Sequence, residues 1–248
     1  MRRIFLALCI ALAAILLTGC VSINWATYPI GGSGMTGRGN IESYSFNVGE
    51  IREIRVEMFC NIEHYTAPSD TVTLEIQPNL VEFITVEESG GVLTVRANRN
   101  ISWSGNNTPV LTVGSPALSR VSLAGAGNFT AHETITGDSF SINMSGAGTG
   151  TVDLVVERLS VTLSGAGDIR LTGTADTADI SMAGAGRVEA LSMQTREADI
   201  NLAGAGAVRL SCSESLRITA GGVGSVEYRG SPNIDVTRGG LVSVRQVD

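Results

Sequence analysis

Six glycine pairs recur along the second half of the chain at nearly constant spacing, and a chain patterned this way closes a core only by stacking turn upon turn. Gly-Ala-Gly stands at Gly125 and Gly127, Gly146 and Gly148, Gly165 and Gly167, Gly184 and Gly186, and Gly204 and Gly206. Gly222 and Gly224 form a sixth pair around valine, and a degenerate copy surrounds Gly240. Successive copies lie 21, 19, 19, 20, 18 and 18 residues apart. Each unit of such a period is one turn of a coil whose apolar side stays wet without its neighbours. Leucine-rich repeats have a similar period, but their leucine and asparagine pattern is absent here.

Alignment on the first glycine turns the repeat into columns. Four residues earlier stand Val121, Ile142, Val161, Ile180, Ile200, Ile218 and Val236, all β-branched. The next column is small and polar: Ser122, Asn143, Thr162, Ser181, Asn201, Thr219 and Thr237. The third begins Leu123, Met144, Leu163, Met182 and Leu202, then runs down to Ala220 and Arg238. Apolar, polar, apolar is a period of two, which predicts a strand with one buried face. Beyond the corner, Ile169, Val188, Val208, Val226 and Val244 resume the inward parity. Two strands per turn therefore flank the glycine corner. The expected fold is all-β, a single-stranded parallel β-solenoid with about 18 to 21 residues per turn. The glycines are expected to take a positive φ and to spare the next rung, stacked at ~4.8 Å, a clash, with the alanine between them pointing into the coil.

Residues 2 and 3 are arginines, Ile4 to Leu17 is uncharged and apolar, and Leu17-Thr18-Gly19-Cys20 follows. Fourteen residues are too few for a membrane span of ~20 but suit a signal peptide, and the closing tetrapeptide resembles a lipobox. Residues 1–19 are thus expected to be a lipoprotein signal peptide and Cys20 the acylated N-terminus. Residues 20–41 would be a flexible tether, and 42–248 the head. Val21, rather than aspartate, after the cysteine resembles outer-membrane sorting in Gram-negative bacteria. Gly32, Gly34 and Gly37 match a dinucleotide fingerprint, but Pro29 before them and Arg38-Gly39-Asn40 after them supply neither the strand nor the helix that a phosphate site needs.

The rungs of type Ile-x-Leu-Ser/Ala-Gly-Ala-Gly carry a resemblance. They are preceded by Val72-Thr73-Leu74-Glu75-Ile76, Pro78-Asn79-Leu80 and Gly90-Gly91-Val92-Leu93-Thr94-Val95. Together, over residues 42 to 245, they resemble the head GIN domain family of autotransporter adhesins. That resemblance implies an exported bacterial protein with a right-handed β-helix-like fold, similar to pectate-lyase solenoids without their catalytic residues, and an adhesive role.

The N-terminal half repeats less clearly. Ile54, Val56, Met58, Cys60 and Ile62 alternate with polar neighbours, as in a first rung that lacks the glycine corner. Residues 66–70 and 98–108 are polar breaks, expected as loops, with Trp103 covering the edge of the solenoid.

All 17 basic residues are arginine, against 24 acids, for a net charge of −7, and this balance argues against a nucleic-acid partner. The two histidines, His64 and His132, have no cysteines or paired acids at zinc spacing, so neither a metal nor a cofactor is expected. Asp179, Asp199 and Asp235 share a column, interrupted by Arg217, and are the best candidates for a sugar or calcium contact, against the reading of a solvated polar face. Once Cys9 leaves with the signal and Cys20 is acylated, Cys60 and Cys212 remain. Five or so rungs between them would hold them ~25 Å apart, so both are expected as buried thiols. Finally, Arg170, Glu189, Arg209, Glu227 and Arg245 form one column of alternating sign, expected as an outward charge ladder. The resulting expectation is a cell-envelope lipoprotein, held to the membrane by lipid, whose non-catalytic head binds a protein or glycan or serves as a scaffold. The alternative is a carbohydrate-active β-helix enzyme, recognisable by three or more acidic and basic side chains converging in one groove.

Overall fold

The computed structural model describes residues 34–103 and 108–248. The signal peptide, Cys20, the first part of the tether and Asn106-Asn107 lie outside the described residues. The chain forms stacked coils, about 7 turns of roughly 19 residues each. Each turn has a short stretch before the glycine corner and a longer one after it. The longer stretch ends at a second corner where two successive residues, Glu157 and Arg158 in one turn, are both exposed. These stretches make two sheet faces.

On the first face Val121, Ile142, Val161, Ile180, Ile200, Ile218 and Val236 stand in register on successive parallel strands, so the aligned column is a physical one. From Val121 to Ile218 these side chains are all but sealed from water. On the second face Ile169, Val188, Val208 and Val226 do the same and are fully buried. The β-branched side chains of these two columns help fill the narrow space between the faces, and burying one such residue contributes about 1.5–3 kcal/mol.

The N-terminal end departs from a simple parallel stack. Residues 53–65 do form a rung, with Ile54, Val56, Cys60 and Ile62 fully buried, but not the first one. Glu53–Val56 lies between 92–95 and Arg120–Leu123, and Asn61–Tyr65 lies between Val110–Gly114 and 129–131. Alternation marked this segment as a rung; which strands flank it is a long-range matter that alternation does not encode. Beyond it Glu42–Phe46, Thr71–Ile76 and Ile84–Ser89 run antiparallel to their partners, and a single helical turn, Pro78–Val81, adds the one departure from all-β structure among the described residues. Antiparallel strands closing the stack hide an edge that would otherwise offer its backbone to other chains. The tether region also differs in part. Met35–Thr36 pairs in parallel with Ile101–Ser102, inside a segment expected as loop, and the Arg38 N–H donates to Asn79 Oδ1 at 2.8 Å.

The glycine corner differs from expectation in two respects. Gly127, Gly148, Gly186 and Gly224, second in their pairs, have φ of 141°, 150°, 147° and 150°, whereas the first glycines do not have positive φ. What demands glycine at the first position is the rung beside it. A Cβ on Gly146 would stand 1.6 Å from the Gly125 carbonyl oxygen, one on Gly165 1.8 Å from that of Gly146, and one on Gly184 1.9 Å from that of Gly165. Gly125 itself would meet the Met58 carbonyl at 1.9 Å, so the corner of the inserted rung joins the same spine. The alanine between the glycines points outward: Ala147, Ala166, Ala185 and Ala205 are exposed. Its N–H donates to the first glycine of the preceding turn, as Ala166 does to Gly146 and Ala185 to Gly165 at 2.9 Å, and the chain turns around that bond with Cβ outside.

Candidate functional site

The first face carries the candidate site. Its inward column reads Phe140, Leu159, Ala178, Ala198, Leu216 in register, so two adjacent turns place alanine where their neighbours place large side chains. On the outer side of these turns a shallow trough of about 320 Å³ is lined by Thr177, Ala178, Asp179, Glu197, Ala198, Asp199, Ser215 and Arg217. A second hollow of about 150 Å³, which shares Asp179 and Asp199, continues it over Ser160, Thr162, Ser181 and Asn201. The trough is therefore polar and open, and it crosses four rungs.

Asp179, Asp199, Arg217 and Asp235 stand directly beside one another on consecutive strands. Arg217 reaches Asp199 at 3.5 Å and Asp235 at 3.9 Å, while Asp179 has no ion-pair partner among the described residues. Two carboxylates in register at the rung spacing repel each other. The charged column of the second face avoids this arrangement. On the second face Arg170, Glu189, Arg209, Glu227 and Arg245 are consecutive neighbours, as one column. Arg209 donates to Glu189 at 2.8 Å and to Glu227 at 2.9 Å, and Arg245 donates to Glu227 at 2.6 Å. Hydrogen bonds from Arg245 and then Arg209 hold the Glu227 carboxyl below the usual range, and those to Glu189 and Glu227 push the Arg209 guanidinium up. This column is a ladder of alternating charge.

Trp103 is partly buried and packs on the core, its ring 6.0 Å from that of Phe59. Cys60 and Cys212 are free and buried, and burial pushes the Cys60 thiol up to about 12. His132 lies on the surface, bonded to Glu63 at 2.5 Å and stacked on Tyr65. The paired alanines behind the trough went unread in the sequence, although their column lies only two positions before the one that holds Val161 and Ile180. Arg196, held by Glu214 through two bonds of 2.9 and 3.2 Å at the second corner, was also missed, because the register shifts between Ala190 and Gln194 and again before Glu197.

A sequence model of the family described as "putative auto-transporter adhesin, head GIN domain" matches residues 51–232. The chain belongs to this family. Among solved structures the head GIN domain is similar to a putative adhesin from Bacteroides fragilis, with TM-score 0.82 and 24% identity over 86% of this chain and 100% of that one. A putative lipid binding protein from Parabacteroides distasonis matches with TM-score 0.68 and 22% identity over 86% and 99% of the two chains. A putative adhesin from Parabacteroides merdae matches with TM-score 0.63 and 18% identity over 87% and 99%. These likenesses are of fold. No curated protein matches the sequence. Family and relatives are named for adhesion or lipid binding, not for catalysis. Among the described residues no helix is long and apolar enough to cross a membrane.

Proposed function

We propose that the chain is a cell-envelope lipoprotein of a Gram-negative outer membrane, anchored through lipid on Cys20, whose head binds a neutral or amino-sugar glycan along the first face without turnover. The observation that carries this reading is the in-register pair Asp179 and Asp199 in the trough. A like-charged pair that the ladder shows the chain able to avoid is retained where the face is hollow. Carboxylates, hydroxyls and amides repeated at ~4.8 Å suit the hydroxyls of an extended polymer lying along the stack.

A polysaccharide lyase or hydrolase is the second reading, because Asp179, Glu197, Asp199 and Arg217 do converge in one groove. Two features favour binding over turnover. The Arg217 and Asp199 side chains are 66% and 46% exposed, so water rather than a dry site surrounds them. Three carboxylates against one guanidinium also repel the uronate chains on which lyases act. The test has two parts. Labelled palmitate should enter the wild-type chain and not Cys20→Ser; absence of label from both removes the anchor. The purified head, screened against a glycan array, should bind neutral or amino-sugar polymers and lose them in Asp179→Asn. New reducing ends or unsaturated products would establish the enzyme reading instead.

A further inference from the structure

His64 is 1% exposed, yet among the described residues neither Nδ1 nor Nε2 has a protein hydrogen-bond partner. It points inward from Asn61–Tyr65, with its backbone paired to Val113 on one side and Ala131 on the other. It therefore sits in the rung inserted out of chain order, at the seam with both neighbours. A cavity of about 30 Å³ lies beside the ring, bounded among others by Thr66, Ser115, Leu118 and Ile135. The Ser115 hydroxyl is already committed, donating to the Ile51 carbonyl at 2.7 Å. A neutral imidazole is tolerable here; a charged one would be buried without a partner.

We propose that His64 is an acid-operated latch, which keeps the inserted rung closed when neutral and releases it when the imidazole is drawn out to take a proton. Burial is the main influence that lowers its proton affinity, opposed by the Ser115 backbone and the Glu133 charge and reinforced by His132. No charged neighbour supplies the missing bond. The Glu133 carboxylate accepts from the Thr66 N–H at 2.8 Å, that of Asp70 accepts from the Ile51 N–H at 2.9 Å, and His132 and Glu63 are paired with each other.

An exposed imidazole in the opened state titrates near ~6.5 while the enclosed one stays neutral, so opening becomes up to roughly thirtyfold more favourable at pH 5 than at pH 7.5. Opening uncovers the strands at 110–114 and 129–131. The trough belongs to turns farther along the stack, whose strands stay paired.

Amide hydrogen exchange of the full chain, corrected for the intrinsic pH dependence of exchange, reads this directly. Residues 61–65, 110–114 and 126–131 should lose protection about thirtyfold from pH 7.5 to 5, with 160–210 unchanged. His64→Phe and His64→Gln should abolish the loss, and His132→Gln should keep it. A wild type without the loss, or a His64 variant that retains it, overturns the latch. If neither variant folds, the native His64 ring decides through its NMR titration: a midpoint well below that of free histidine supports the latch, and one at or above it overturns it.

Discussion

The Gly165 carbonyl oxygen lies 1.9 Å from where a Cβ on Gly184 would stand, and the same oxygen accepts the Ala185 N–H at 2.9 Å. The two facts are one: the corner bond that ties a turn to the last brings the backbones closer than any side chain allows. The relationship repeats at Gly146, Gly165, Gly184, Gly204 and Gly222.

Gly184→Ala should therefore cost well over the ~1 kcal/mol of an ordinary point change, because relief requires moving backbone against backbone. Valine at Gly165 or Gly184 should be worse, through crowding and not through φ. Gly137→Ala is the control, since its Cβ would meet nothing within 4 Å. Thermal melts of Gly184→Ala and Gly137→Ala that shift equally would contradict this account of the corner.

Glu189→Arg would place three arginines in a row and remove one of the two carboxylates that Arg209 holds. The melting temperature should fall modestly. Because these side chains meet water, the difference from wild type should shrink at high salt. A salt-independent loss would point to packing instead of charge.

Glu227 is held ionised first by Arg245 and then by Arg209. Its folded pKa is depressed, so its contribution to stability is present above the unfolded carboxylate pKa and is lost as pH falls through the folded value. Glu227→Gln should flatten the acid limb of stability below about pH 4.5. It should leave untouched the limb that begins below about pH 6.5, which the buried, depressed His64 produces by the same sign. Unfolding titrations that show one common limb removed by either variant would refute the separation.

Asp179 faces Asp199 in register and has no ion-pair partner among the described residues. Asp179→Asn should leave the melting temperature unchanged or raise it while weakening glycan binding. A lowered melting temperature with binding intact would mean that the carboxylate serves the sheet and not a ligand.

The Cys60 thiol, its pKa pushed up to about 12, should not react with a thiol reagent at neutral pH until the chain is unfolded. Peptide mapping of labelled cysteines before and after denaturant checks this, and fast native labelling at Cys60 would show the inserted rung already open.

The solenoid was legible because its information is local and repeated. A period of 18 to 21 residues, a β-branched inward column and glycine at each bend are present in every turn, and stacking equivalent turns places Arg170, Glu189, Arg209, Glu227 and Arg245 side by side without further instruction. Where the repeat ends, that inference ends as well. Residues 53–65 read as a rung, but their place between 92–114 and 120–131 comes from contacts between segments far apart in the chain, which alternation cannot rank. The direction of the corner alanine, the lack of a positive φ at the first corner glycines and the unpartnered imidazole of His64 were likewise decided in three dimensions. Each depends on what the adjoining turn places within a few ångströms, and a strand's own sequence records its inward face but not its neighbour's backbone.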